Sequence, residues 1–324
     1  MPHAPTALAY DCPGLLPRET GGDGRYRIGR DGVRQILTTA DDKVEFIHQD
    51  AGVLAYVKSR MGYPAIYPLL PATIRRPVRA VLMDLDGTTV RSEGFWVWII
   101  ERTIARMRGD DAFRLQPEDA PFVSGHSVSE HLEYGLRKYC PSGKVEAARR
   151  HYFDITNGEM RAILDGGGKA DAFAPAPGIK PFLLSLKQRG IRIALVTSGL
   201  YEKAWPEILS AFRQLDLGDP KEFYDAIVTA GQAIRKGEVG TLGELSPKPH
   251  PWLYAEISRV GLGIPFKDRN SVVGIEDSGA GVCSIRLAGF PTIGFGGGNI
   301  VESGTRDLCI AYCETFPDIL AKII

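Results

Sequence analysis

The sequence predicts an α/β protein built on a doubly wound parallel sheet. From Gly178 to the carboxyl terminus, short apolar runs alternate with helical segments, which is typical of parallel strands with helices on both faces. An earlier apolar run, residues 79–82, ends in an acidic stretch and predicts the first strand of this sheet. A helical region at about 91–173 follows at once, so we expect an inserted α-helical domain.

The part before this sheet, residues 1–76, is expected to be an N-terminal extension. Residues 41–61 have apolar positions spaced for one broad helical face, so they predict a helix. The segment 63–77 is rich in proline and predicts an extended connector. No chemistry is assigned to the extension.

The rest of the chain divides into a sheet domain and a helical one. Residues 77–90 and 174–324 are expected to form the sheet domain, and residues 91–173 the helical domain. Helices at Glu93–Met107 and Ser129–Tyr139 are the clearest within the insertion.

Strands and helices are predicted in alternation beyond Gly178, from apolar runs and their turn residues. The predicted strands are 191–196, 226–228, 271–275, 291–295 and 308–312, and the predicted helices are 181–189, 207–215, 252–260 and 280–288.

The composition is ordinary for a globular protein. Of the 324 residues, 44% are hydrophobic, and 39 basic side chains balance 39 acidic ones. Because no strongly basic block stands out, we expect neither a nucleic-acid partner nor a membrane-surface partner. No apolar run approaches the length that spans a membrane, and we expect no secretory signal. The five scattered cysteines favour reduced thiols in a cytoplasmic protein.

Two carboxylates, Asp84 and Asp86, stand at the end of the first predicted strand. On a regular strand both side chains share a face, and Gly87 then lets the chain turn away sharply. Such a pair suits a nucleophile and a proton-transfer group, or a metal site, or both. The alternative is an acidic loop that only caps the next helix.

Later motifs complement this pair, because functional side chains at strand carboxyl ends converge on one crevice of a doubly wound sheet. Asp84 can attack phosphorus as a carboxylate, and Asp86 can protonate the leaving oxygen and then activate water. The Thr197 hydroxyl and the Ser198 N–H can bind phosphoryl oxygens. Lys248 offers a positive charge to the negative transition state.

A metal site is predicted at the same crevice. Glu276 and Asp277 follow another apolar run and provide hard oxygen ligands. Together with Asp84 they suit Mg²⁺, which prefers carboxylates and retained waters. This ion would also reduce the repulsion between an anionic nucleophile and a phosphate dianion.

Taken in order, these motifs resemble those of the haloacid dehalogenase superfamily, in its phosphoglycolate phosphatase and β-phosphoglucomutase branch. The resemblance covers about residues 78–324, and in that branch a helical cap lies between the first two motifs. The four matching motifs are Asp84-Leu85-Asp86-Gly87-Thr88, Val196-Thr197-Ser198-Gly199, Pro247-Lys248-Pro249 and Gly274-Ile275-Glu276-Asp277-Ser278-Gly279-Ala280-Gly281.

The resemblance implies a Rossmann-like core and a Mg²⁺-dependent phosphomonoester hydrolase. It implies an aspartyl-phosphate intermediate on Asp84 and a small phosphorylated metabolite as substrate. The metal would be held by the Asp84 carboxylate, the Asp86 backbone carbonyl and Asp277, with Glu276 bound directly or through water. Gly199 belongs to the motif that would bind the phosphoryl group.

A segment of the helical domain, 123–127, resembles in position the substrate-specificity loop of this branch. Ser124 and His126 are therefore candidates for contact with the leaving group. A loop that only leads into the next helix explains the segment equally well.

Three features depart from the family pattern: the extension of about 75 residues, the long approach to Lys248 at 232–245, and Trp252 where an acid commonly stands. A sugar phosphomutase stays open as an alternative, although residues 91–102 lack the histidine that is usual in mutases. A catalytically silent binding or regulatory protein is a further alternative. The sequence does not decide the oligomeric state.

Overall fold

The computed structural model describes residues 12–58, 64–122, 128–169, 171–230, 233–235, 238–239 and 246–324. The chain divides into two compact units. The first comprises the residues up to Thr89 together with Pro177–Tyr201 and Asp219–Ile324, and the second comprises Val90–Ala176 and Glu202–Gly218. The domain limits expected from the sequence stay a prediction.

The first unit begins with a five-stranded antiparallel sheet, the N-terminal sheet. Its strands lie side by side in chain order: β1 (Leu16–Arg18), β2 (Val33–Thr38), β3 (Val44–Gln49), β4 (Gly52–Val57) and β5 (Ala65–Leu69).

The predicted helix over 41–61 is wrong, because these residues form the β3–β4 hairpin. The apolar residues taken as one helical face lie on two faces of the sheet. Val44 belongs to one buried cluster, and Ile47 belongs to another. The signal for a hairpin was the density of β-branched and aromatic residues on both sides of Gly52, which begins β4 with φ +143°.

The remaining described strands are β6 (Ala80–Asp84), β7 (Val90–Arg91), β8 (Ala174–Pro175), β9 (Arg192–Val196), β10 (Ala226–Val228), β11 (Ala233–Arg235), β12 (Glu238–Val239), β13 (Val272–Glu276), β14 (Thr292–Phe295) and β15 (Ala311–Cys313). Eight of them form one sheet in the order β12-β11-β10-β9-β6-β13-β14-β15. Six neighbouring strands run parallel: β10, β9, β6, β13, β14 and β15. Beyond β10, the strands β11 and β12 pair antiparallel at one edge of the sheet.

The described helices are α1 (Glu93–Arg108), α2 (Val128–Tyr139), α3 (Val145–Leu164), α4 (Ile179–Gln188), α5 (Tyr201–Leu215), α6 (Pro220–Phe223), α7 (Trp252–Glu256), α8 (Gly279–Leu287) and α9 (Phe316–Ile323). A π-helical turn, Ile257–Gly261, follows α7. None of the described helices is long and apolar enough to cross a membrane.

The doubly wound parallel sheet predicted from the sequence is confirmed. β6 lies between β9 and β13, with Asp84 opposite Val196 and Met83 opposite Ile275. The three strands therefore end at the same edge of the sheet. The motifs that follow them are brought to this edge by strand pairing.

The N-terminal sheet is joined to the parallel-sheet part of the first unit by a shared apolar cluster, the interlayer cluster. It combines side chains of the N-terminal sheet with side chains of α8 and the segment after β14. Its buried members are Cys12, Leu15, Leu37, Val44, Phe46, Val53, Ala55, Val57, Leu69, Val282, Cys283, Leu287, Ile300 and Leu308. Because α8 directly follows the acidic motif at the end of β13, the extension packs on the element that supports this motif.

Phe46→Ala should destabilise the protein by about 3–5 kcal/mol, because it leaves a cavity in the interlayer cluster. Urea unfolding of the full chain measures this loss. Leu16→Ala is the matched control, since Leu16 lies in the same sheet but is 51% exposed. A Phe46 variant as stable as the Leu16 variant would show that the extension is not part of the folded core.

In the second unit, a buried carboxylate ties the 3₁₀ turn Pro117–Phe122 to α2. Asp119 accepts hydrogen bonds from Tyr134 OH and Lys138 Nζ, both at 2.6 Å, and from Tyr139 OH. Burial alone would raise the pKa of Asp119, but these hydrogen bonds outweigh it and lower that pKa to about 2. The charged form is therefore the stable one in the folded protein.

Asp119→Asn should destabilise the second unit by about 2 kcal/mol at neutral pH, because charge-assisted hydrogen bonds are lost. The pKa of Asp119 is about 2 in the folded protein and 3.8 ordinarily. The stabilisation is therefore full above pH 3.8 and is lost as the pH falls towards 2. Tryptophan fluorescence in urea measures it, since three of the four tryptophans lie in the second unit. Glu118→Gln, at a side chain that is 68% exposed, should change little.

Candidate active site

Asp84 is the last residue of β6, and its side chain is buried. Its Oδ1 accepts a hydrogen bond from Lys248 Nζ. Its Oδ2 is buried and makes no hydrogen bond to any residue that the structure describes. The Thr89 hydroxyl donates to the Asp84 carbonyl at 2.6 Å and closes the turn after the strand. One oxygen of this carboxylate thus stays open for another ligand.

Lys248 joins three of the predicted motifs. Its Nζ contacts Asp84 Oδ1 and lies 2.5 Å from Glu276 Oε1. Its backbone N–H donates to Ser198 Oγ at 3.1 Å. The ammonium is buried between two carboxylates, as a charge inside a protein requires.

Glu276 ends β13, and both of its oxygens have several partners. Oε2 accepts from the Asp277 N–H at 3.1 Å, and from the N–H and hydroxyl of Ser278 at 3.0 and 2.9 Å. Oε1 accepts from Lys248 Nζ and from Tyr254 OH, the latter at 3.1 Å. A carboxylate so occupied has little capacity left for a direct metal bond.

Asp277 reaches the turn that follows β6, where Gly87 has φ +84°. A Cβ at Gly87 would lie only 2.0 Å from Asp277 Oδ2. The absence of a side chain therefore allows the carboxylate to approach the first motif. Thr88 Oγ1 lies 3.4 Å from Asp277 Oδ1 on the same turn.

The second motif follows β9. Thr197 is buried, and its backbone N–H donates to the Val228 carbonyl of the neighbouring strand at 3.0 Å. Its hydroxyl accepts from the Gly199 N–H at 2.9 Å. In this geometry the Gly199 N–H orients the Thr197 hydroxyl rather than standing open to a ligand.

The site carries more negative than positive charge. Burial and then repulsion from Glu276 raise the pKa of Asp84 well above its ordinary value, in spite of Lys248. Burial and the charge of Glu276 also raise the pKa of Asp277 to about 7. Burial alone would lower the pKa of Lys248, but Asp84 and Glu276 hold it well above its ordinary value.

These residues fit a divalent cation. Asp84, Glu276 and Asp277 have carboxylate oxygens within 4.8 Å of one another, although those of Glu276 already accept hydrogen bonds. The open Asp84 Oδ2 is the kind of atom that a cation would satisfy. Hard carboxylate oxygens at this spacing are the donor set that Mg²⁺ takes in proteins.

Asp86 is half-buried on the turn after β6, close enough for its charge to raise the pKa of Asp84 and Asp277. Ser124 and His126, predicted to contact the leaving group, lie outside the described residues.

Sequence reasoning missed Tyr254, which hydrogen-bonds Glu276 from α7. No family motif marks this tyrosine, and only its hydroxyl on an otherwise apolar buried face could have suggested it.

Several known proteins are similar to this chain. The family model described as haloacid dehalogenase-like hydrolase matches residues 78–289. A plasmid phosphoglycolate phosphatase of Cupriavidus necator is 26% identical over 260 residues, which cover 77% of this chain and 96% of that protein. The phosphoglycolate phosphatase of Aquifex aeolicus is 26% identical over 176 residues, covering 54% of this chain and 68% of that protein.

A solved structure supports the fold alone. CbbY from Rhodobacter sphaeroides, crystallised in complex with phosphate, has a TM-score of 0.51 at 21% identity. The match covers 76% of this chain and 99% of that chain.

The chain belongs to the haloacid dehalogenase-like hydrolases. The resemblance seen in its four motifs is thereby confirmed. With two phosphoglycolate phosphatases among its relatives, the expected class of enzyme, a phosphatase, is confirmed as well.

Gly87→Ala should lower phosphatase activity about 100-fold or more, because the new methyl group would displace the Asp277 carboxylate. Gly94→Ala is the matched control, since nothing lies within 4 Å of a Cβ at that position on α1. Activity of both variants is compared beside their circular dichroism spectra. Full activity of a folded Gly87 variant would mean that the placement of Asp277 does not matter.

Proposed function

We propose that this protein is a Mg²⁺-dependent phosphomonoesterase that acts on a small phosphorylated metabolite through an aspartyl-phosphate on Asp84. The observation that best supports this proposal is the buried carboxylate of Asp84. One of its oxygens accepts a hydrogen bond from Lys248, and the other has no hydrogen-bond partner among the described residues. This is the state expected of a nucleophile that also binds a cation.

Asp84 and Asp277 would hold the Mg²⁺ ion directly, with the main-chain carbonyl of Asp86. Glu276 would act through water, because its two oxygens already accept hydrogen bonds from Lys248, Tyr254 and its own turn. When bound, the ion lowers the repulsion between the anionic nucleophile and the phosphate dianion.

The reaction proceeds in two balanced steps. In the first, a carboxylate oxygen of Asp84 bonds to phosphorus, the bond from phosphorus to the ester oxygen breaks, and Asp86 gives its proton to the departing alkoxide. In the second, Asp86 takes a proton from water, whose oxygen bonds to phosphorus while the bond to Asp84 breaks. Inorganic phosphate leaves, and both side chains return to their starting state.

The remaining motif residues stabilise the phosphoryl group during these steps. Lys248 places a buried positive charge beside the nucleophile, where charge develops in the transition state. The Thr197 hydroxyl, oriented by Gly199, and the Ser198 N–H would donate to the phosphoryl oxygens.

The first substrate to test is 2-phosphoglycolate, because two relatives are named phosphoglycolate phosphatases. Phosphate release from a panel of phosphorylated metabolites should require Mg²⁺ and stop with chelator. Asp84→Asn should lower release about 1,000-fold or more, because an amide is not a nucleophile at phosphorus.

Asp268→Asn is the matched control. Asp268 lies in the turn before β13, paired with Arg79 at 2.8 Å, at the strand end opposite to Glu276. This variant should keep activity within about twofold of wild type, as expected of a half-exposed ion pair away from the chemistry. If a folded Asp84→Asn variant still turned over substrate, Asp84 could not be the nucleophile. No phosphate release from any compound, with conversion of β-glucose 1-phosphate, would favour the mutase instead.

A further inference from the structure

The loop that carries Lys248 contacts two parts of the first unit. Lys248 Nζ points to the carboxylates of the site, among them Glu276. His250 and Trp252, two and four residues further on, contact Tyr67 of β5 in the N-terminal sheet. The extension thus reaches the segment that carries the buried ammonium.

The Tyr67 hydroxyl makes two hydrogen bonds in this contact. Trp252 Nε1 lies 3.1 Å from Tyr67 OH, and an indole N–H can only donate. The tyrosine oxygen therefore accepts from Trp252, and it also shares a hydrogen bond with His250 Nδ1 at 2.8 Å, in which either group can be the donor.

His250 is held by hydrogen bonds of its Nδ1, its N–H and its carbonyl, while its buried Nε2 has no partner among the described residues. Its side chain and backbone are 1% exposed, and burial lowers the pKa of the imidazole, which keeps it neutral. Its carbonyl accepts from the Ser284 hydroxyl of α8 at 2.5 Å, and its N–H donates to the Pro247 carbonyl at 3.1 Å. Without the Tyr67 hydroxyl, a buried Nδ1 would lose its hydrogen-bond partner.

We propose that Tyr67 is a positioning residue for Lys248. Only Pro249 separates Lys248 from His250, so the anchored imidazole limits how far the ammonium can shift from Asp84. The inference rests on the proposed function, in which this ammonium stabilises the phosphoryl group in the transition state. The N-terminal extension then contributes to the reaction through Lys248.

Tyr67→Phe removes the hydroxyl and keeps the ring that packs edge-on against His250. We expect kcat to fall about tenfold, the effect of one ordinary hydrogen bond on transition-state positioning. KM should stay within about twofold, because the charge of Lys248 matters most when charge develops at phosphorus. The thermal unfolding midpoint should change by no more than about 3 °C.

Tyr56→Phe is the matched control. Tyr56 lies on β4, next to β5, and its hydroxyl makes no hydrogen bond within the part of the chain that the structure describes. Its kcat should equal that of wild type. A Tyr67→Phe kcat within twofold of wild type, or an equal loss in both variants, would overturn the positioning role. No phosphate release by wild type would instead defeat the proposed function, and the positioning role with it.

A second measurement does not depend on activity. Long-range ¹H–¹⁵N spectra of the histidine side chains, assigned with a His250→Gln variant, should show a neutral His250 ring whose Nδ1 is hydrogen-bonded. The Nδ1 resonance should move in Tyr67→Phe and stay in place in Tyr56→Phe. An Nδ1 resonance that is unchanged in Tyr67→Phe would contradict the hydrogen bond on which the inference is built.

Discussion

The buried ammonium of Lys248 is the interaction on which the site depends. A charge taken out of water needs compensating charge at contact distance, and Asp84 and Glu276 supply it. These partners come from β6 and β13, two adjacent strands, while Lys248 arrives on a loop more than 160 residues after Asp84. Removing Lys248 would leave both carboxylates without their buried counter-charge, and removing either carboxylate would leave the ammonium with one partner instead of two. The same three groups therefore stabilise this edge of the sheet, and the proposed function relies on them.

Most of this edge could be predicted from the sequence, because each strand and the functional residue after it lie within one short stretch of the chain. Val81 and Val273 lie in apolar runs that identify buried strands, and the acidic residues come directly after them. Parallel pairing then brings strand ends together without further knowledge of contacts. Asp84 and Glu276 follow this rule while Lys248 lies on a loop, and the structure shows the three in contact.

What the sequence did not reveal depends on contacts across the chain. Around Val44 and Ile47, the apolar spacing satisfies a helix as well as a strand whose two faces are both buried, and only the packing partners decide between them. Tyr67 and His250 are separated by 183 residues, so no local sequence pattern indicates that they form a hydrogen bond. Two of the departures from the family pattern, the extension and Trp252, meet at this tyrosine.

The second unit is made from two separate stretches of chain, and this limits how such a unit can be exchanged between proteins. Residues 202–218 belong to it, and α5 carries hydrogen bonds to the first stretch: Arg213 donates to the Leu164 carbonyl and Gln214 to the Phe173 carbonyl, each at 3.0 Å. A chimera that transplants 90–176 alone would leave these carbonyls without donors and the buried face of α5 mismatched. Recombination, in the laboratory or in evolution, must carry both stretches together to move this unit intact.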